Sequence, residues 1–124
     1  MQFKIDTKET FTIVAPQTML FDASVAAKLA ETCADIRRNG SANFIIDMKD
    51  VKQINGDAVA ALVSLHELLY SEHESLVITE VAGAVMAEFK RDEVDLSINI
   101  APRMAEAIDI VSMEILEREL LGEE

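Results

Sequence analysis

One cysteine, two histidines and 23 carboxylates are the groups from which a reactive centre would have to be assembled. Cys33 could act as a nucleophile only beside a base. It falls instead on the apolar stripe Val25, Leu29, Cys33 and Ile36, which places it inside as a small hydrophobe. A single cysteine also excludes an internal disulfide and a multi-cysteine zinc site. His66 and His73 have Glu67 and Glu74 beside them. No third ligand stands at the spacing that would complete a metal site, so both read as solvated or helix-flank histidines, and no metal is expected. Asp47, at the end of an apolar run, has the place of a phosphoaccepting aspartate. That chemistry needs an acidic pair after the first strand to hold magnesium, and Ala15-Pro16-Gln17 supplies no acid; Asp47 is expected to satisfy turn amides. Gly40, Gly56, Gly83 and Gly122 are isolated, so there is no phosphate-cradling loop. No G-x-S-x-G elbow occurs. Among so many acids, accidental pairs are common and no hydrolase pair stands out. Neither an enzyme nor a cofactor is expected.

Charge narrows the partners. The 23 acidic and 11 basic residues give a formal net charge of −12. Phosphate affinity comes from Lys and Arg, so nucleic acid is not an expected partner, nor is an anionic membrane surface. No apolar run is long enough to span a bilayer, and Met1 to Thr10 carries charges without the apolar core of a signal peptide. The cytoplasm is the expected location. With 124 residues, 50% hydrophobic and 27% charged, the expectation is one globular domain able to bury a core.

The elements that must position these residues follow from periodicity. Phe3 to Asp6 and Thr10 to Ala15 are β-prone runs joined too tightly for a crossover, which predicts an antiparallel hairpin. Asp22 is a good N-cap for a first helix, and Asn39-Gly40 ends it. Asn43 to Asp47 reads as a buried central strand. A turn through Lys49 and Asp50 leads to Val51 to Ile54. Asn55 then caps a second helix, with Asp57 in its first turn and a broad apolar face of Val59, Leu62, Val63, Leu65, Leu68 and Leu69. Leu76 to Thr79 is the next buried strand, and Val81 to Glu93 a shorter helix with Val85, Met86 and Phe89 inward. Leu96, Ile98 and Ile100 alternate with Ser97 and Asn99 as a half-buried strand. Pro102 suits the first position of a last helix, whose stripe is Met104, Ile108, Val111 and Ile115. Strands separated by helices imply parallel pairing. The fold class is α/β: a mixed sheet with an N-terminal antiparallel hairpin, remaining strands mainly parallel, and about four helices.

The stretch Ile45 to Leu62, reading Ile-Ile-Asp-Met-Lys-Asp-Val-Lys-Gln-Ile-Asn-Gly-Asp-Ala-Val-Ala-Ala-Leu, resembles the central signature of STAS domains. These occur in anti-sigma factor antagonists and in sulfate-transporter tails. Phe21-Asp22-Ala23 to Leu29, Leu76 to Glu80, Val85 to Phe89 and Ala105-Glu106-Ala107 look like the family's other elements. The resemblance implies one STAS-like domain over residues 1–124, its core about 10–111 and an acidic helical extension over 112–124. Ile115, Leu116, Leu120 and Leu121 make that extension amphipathic, able to cover its own sheet, pair with a second copy or bind a partner helix. A homodimer is therefore one expectation.

In that family the function is docking. A free-standing member binds a serine kinase/anti-sigma factor, which phosphorylates a serine at the start of the second helix and so breaks the complex. The resemblance places the family's Asp-Ser-Ser-Gly on Asn55-Gly56-Asp57-Ala58, with Gly56 at the phosphoserine, so no phosphorylation is expected there. Ser64 lies a turn and a half further in. Asp57 either mimics phosphate permanently, or marks a docking module that has left phosphoswitching, or caps the helix together with Asn55. The implied function is a non-catalytic protein–protein interaction module in bacterial partner switching. The alternative is an accessory subunit of a transport or chemotaxis/histidine-kinase assembly. The expected contact surface is Asn55, Gly56, Asp57, Ala58 and Val59, with Lys49, Asp50, Lys52 and Gln53 from the preceding turn.

Overall fold

The structure, a computed structural model, describes residues 3–122. The last two residues of the expected extension, 123 and 124, lie outside the described residues, as do residues 1 and 2. The hairpin forms as expected: β1 (Phe3–Thr7) and β2 (Thr12–Pro16) are antiparallel, with Phe3 opposite Pro16 and Thr7 opposite Thr12. There follow β3 (Leu20–Phe21), α1 (Ala23–Arg38), β4 (Phe44–Asp47), β5 (Gln53–Ile54) and α2 (Gly56–Ser71). The chain continues through β6 (Leu76–Thr79), α3 (Gly83–Arg91), β7 (Asn99–Ala101) and α4 (Met104–Gly122). The main sheet has five strands in the order β1-β2-β4-β6-β7. Only the β1–β2 pair is antiparallel; β2–β4, β4–β6 and β6–β7 are parallel. This is the mixed sheet with four helices that the pattern predicts.

The central strands β4 and β6 are apolar up to their last residues, Asp47 and Thr79, because both faces of the sheet are covered. Side chains alternate sides along a strand. Phe44, Ile46, Leu76 and Ile78 therefore pack with Val25, Leu29, Leu62, Leu69 and Phe89 of α1, α2 and α3. Ile45 and Val77 point the other way, onto Ala107 and Val111 of α4. Cys33 is fully buried among the first group, as its place on the α1 stripe implied. Helix α1 begins where expected: the Asp22 carboxylate accepts from the Val25 amide at 3.0 Å. It ends at Asn39, and Gly40 follows at φ 103°, a left-handed backbone that glycine adopts without a Cβ penalty.

The structure departs from the sequence reading at four places. Leu96 to Ile100 is not a continuous alternating strand. Val94–Leu96 form one 3₁₀ turn, entered through Glu93 at φ 59°, and Leu96 is 77% exposed. Only Asn99–Ala101 pair, in register with Val77–Thr79. The left-handed Glu93 redirects the chain after α3, so alternation in sequence here does not report one extended segment. Pro102 stands two residues ahead of α4 rather than at its first position; the Met104 amide is capped instead by the Glu80 carboxylate, at 2.9 Å. Leu20–Phe21, not anticipated as a strand, pairs in parallel with Gln53–Ile54. His66 is buried rather than solvated or on the helix flank.

Truncating the two faces separately tests this layering. Phe44→Ala and Ile45→Ala should each lower the unfolding free energy, by ~3–5 and ~2–5 kcal/mol respectively, since both side chains are fully buried. Leu96→Ser should change it by no more than ~0.5 kcal/mol. Urea denaturation followed by circular dichroism reads all three; a Leu96→Ser loss as large as the others would restore the continuous strand.

Candidate functional site

Two short segments, each leading into a helix, lie side by side. Leu20–Phe21 delivers Asp22 to the start of α1, and Gln53–Ile54 delivers Asn55 to the start of α2. Their pairing is extended by the amides of Lys52 and Gln53, which donate to the Met19 carbonyl at 2.8 and 3.0 Å, and by the Asn55 amide, which donates to the Phe21 carbonyl at 3.3 Å. The buried side chains Phe21 and Ile54 anchor the two strands in the core. The Asn55 side chain accepts from the Ala58 amide at 3.2 Å, the N-cap bond that its residue type predicts. Asp57 occupies the first turn of α2, where negative charge offsets the helix dipole.

The sequence-predicted contact residues divide into two sets. Asn55, Gly56 and Asp57 are exposed at the tip of α2, as are Lys49, Asp50 and Lys52 in the segment before β5 and Gln53 within β5. Ala58 and Val59 are buried, with their side chains in the core, so they hold the tip in place from behind. Lys49 is tied to the sheet: its amide donates to Asp47 Oδ1 at 3.0 Å and its ammonium to Oδ2 at 3.2 Å. Asp47 thereby satisfies a turn amide, as its position suggested. A Cβ added at Gly56 would meet no heavy atom within 4 Å; the tip is open.

Sequence reasoning missed two neighbours of this tip. Met19 is 70% and Leu20 45% exposed, immediately beside the Lys52 backbone that bonds to Met19. An open groove of ≈ 330 Å³ runs along Leu20, Gln53, Ile54, Asn55, Ala84 and Glu88, joining the α2 tip to the start of α3. Large apolar residues next to a helix N-cap were the available signal, but without knowledge of the β3–β5 pairing nothing connects them to α2.

Elsewhere the candidate chemical groups are structural. Burial pushes the Cys33 thiol up to about 12, only partly opposed by Arg37, which leaves little thiolate for nucleophilic attack. Among the described residues no group of three His, Cys, Asp or Glu side chains could hold a metal ion. His66 Nε2 accepts from the Asn99 amide at 3.2 Å, and its ring lies 4.4 Å from that of Tyr70. The Tyr70 hydroxyl donates to Glu114 Oε1 at 2.6 Å and accepts from Asn99 Nδ2 at 2.6 Å. Burial, then the Glu114 carboxylate, pushes the Tyr70 phenol up to about 12. Burial lowers the His66 value, against the pull of Glu114 and Glu67. This network joins α2, β7 and α4 at the far end of α2 from its exposed tip.

The STAS domain family model matches residues 2–107, and the chain belongs to that family. Among solved structures, a Thermotoga maritima protein described as an anti-sigma factor antagonist is similar, with a TM-score of 0.79 at 16% identity, covering 89% of this chain and 94% of that one. An anti-sigma factor antagonist from Mycobacterium paratuberculosis gives a TM-score of 0.76 at 14% identity, over 90% and 93%. The anti-sigma factor antagonist SpoIIAA in its unphosphorylated form gives 0.70 at 12% identity, over 90% and 96%. At these identities the likeness shows the fold. A search of curated protein sequences finds no match. Family and fold together support a regulatory, protein-binding role, and no helix among the described residues is long and apolar enough to cross a membrane.

The neutral, buried His66 carries a pH dependence. Unfolded, its imidazole takes up a proton near its ordinary value of about 6.5; folded, it does so only at lower pH. The unfolded state therefore binds more protons in that window, and stability falls as pH drops through about 6.5. The fall ends once the folded imidazole also protonates. Urea midpoints measured across this range should drop for the native chain and drop less for His66→Gln. Equal slopes would mean that His66 is not held neutral by the fold.

Proposed function

We propose that the chain is a non-catalytic docking module of bacterial, cytoplasmic partner switching, presenting the tip of α2 to a serine kinase/anti-sigma factor or a comparable regulatory protein. The observation that carries this is the open tip: Asn55, Gly56 and Asp57 are exposed, no atom crowds Gly56, and Ala58 and Val59 fix the backbone behind them. Glycine at the first helical position permits close approach of a partner's backbone, and the Asp57 carboxylate supplies charge selectivity. Lys49, Asp50, Lys52 and Gln53 form the adjoining rim, and Met19 and Leu20 add apolar area to it. The structural relatives described as anti-sigma factor antagonists support the reading. SpoIIAA, a cell-fate determinant of Bacillus, has also been solved in a phosphorylated form. In this chain Gly56 takes the place of the phosphoacceptor, so docking is not relieved by phosphate at that position.

Two substitutions at one residue test the reading. Gly56→Ser fits sterically and should gain a phosphoserine, seen by mass spectrometry, on incubation with a serine kinase/anti-sigma factor that binds the native chain. Gly56→Arg should leave the thermal midpoint nearly unchanged while weakening that complex by at least ~10-fold, the loss expected where a central contact is blocked. Undiminished binding of Gly56→Arg would remove the α2 tip from the interface. Co-purification with a transporter or a histidine kinase in place of such a kinase would select the accessory-subunit reading.

A further inference from the structure

Helix α4 shows different chemistry on its two sides. Ala107 and Val111 are buried against the sheet, flanked by half-buried Met104, Ile108 and Ile115. On the far side of the helix, Met113, Leu116 and Leu120 recur at i, i+3 and i+7 and are 60%, 52% and 60% exposed. Three large apolar side chains in one row form a stripe, unlike isolated surface hydrophobics. Leu121 stands apart from it, lining a cleft with His73 and Arg118. The exposed charged residues beside the stripe are Glu106, Asp109, Glu117 and Glu119. Arg118 is the one basic residue between Met104 and Gly122. It is turned inward, donating to Asn43 Oδ1 and Ser75 Oγ, both at 2.9 Å. The stripe is therefore bordered by uncompensated negative charge.

We infer that this stripe seats a basic amphipathic helix of a partner protein. An apolar row at i, i+3 and i+7 is the register in which one helix receives the apolar face of another. The acidic border selects a helix whose apolar face is flanked by Lys or Arg. A second copy of this chain fits poorly, because pairing two such stripes brings Asp109, Glu117 and Glu119 of both copies together in a chain of net charge −12. The stripe lies on the opposite face of the sheet from α2, so its occupant leaves the α2 tip free, and the inference stands apart from the docking proposed there.

The test uses the full chain, labelled with ¹⁵N, and two synthetic helical peptides of about four turns. Both carry the same leucine row, flanked by Lys and Arg in one and by Glu in the other. The basic peptide should bind, with amide shifts centred on Met113 to Leu120, and binding should weaken with added salt as rim charges are screened. The double variant Leu116→Ser/Leu120→Ser should lose at least ~10-fold in affinity while keeping its circular dichroism and thermal midpoint, since both side chains are exposed. Equal binding of the acidic peptide, or shifts centred elsewhere, would overturn the inference. So would a concentration-dependent dimer in sedimentation velocity that Leu116→Ser abolishes, which would make a second copy the occupant.

Discussion

The parallel pairing of Leu20–Phe21 with Gln53–Ile54 sets the geometry on which the rest of the exposed edge depends. Each segment is two residues long, too short to be stable alone. They are held because Phe21 and Ile54 are buried and because the next residue in each, Asp22 or Asn55, caps a helix. Both helices therefore start from one ladder. A shift of one residue in that ladder would reverse which side chains point inward, burying Gln53 in place of Ile54. Register and burial enforce each other, and the tip of α2 is presented in one orientation.

The two faces of the sheet are stabilised differently. Three helices share one face, and their apolar contacts are numerous and non-directional. Helix α4 covers the other face alone, through a narrower seam, and its placement is specified by directional polar bonds. Glu80 caps its first turn, Glu114 meets Tyr70 and Asn99 in its middle, and Arg118 reaches Asn43 and Ser75. These bonds sit where the helix meets strand ends and turns, places where backbone and side-chain groups would otherwise lack partners. They also consume the inward-facing polar capacity of α4, which leaves its outer side as a separate surface.

Much of this was legible from residue patterns. Uninterrupted apolar runs marked β4 and β6, helical spacing marked the four helices, and Asp22 and Asn55 marked two helix starts, because these signals are local and each element obeys its own period. What escaped was non-local. The β3–β5 pairing rests on backbone groups far apart in sequence, and two-residue strands carry no period of their own. Leu96 fitted an alternating pattern that a single left-handed residue, Glu93, interrupts. His66 lay on a helix whose apolar face is broad enough to draw in a polar ring, and its partner, the Asn99 amide, belongs to a strand 33 residues away in sequence. At the site, the exposure of Asn55 to Asp57 could be read from the cap motif, and Val59 already stood on the apolar face of α2, at odds with its place in the expected contact surface; the burial of Ala58, and the presence of Met19 and Leu20 nearby, could not be read.

The chemistry of the α2 tip bears on how a partner would read it. A phosphoserine at such a position adds roughly −1.5 to −2 charge and three acceptor oxygens, and takes them away again on hydrolysis. Gly56 offers no side-chain oxygen, and the next residue, Asp57, carries a single carboxylate. That carboxylate is smaller in charge and in hydrogen-bonding capacity than a phosphate. In the docking proposed above, such a carboxylate would bias partner choice by a constant amount rather than toggle it. If docking through this tip is regulated, the control must therefore come from the partner's state or from a second surface of the chain. The acidic outer side of α4, on the other face of the sheet, is the place in this fold where a second protein could be held without competing for the tip.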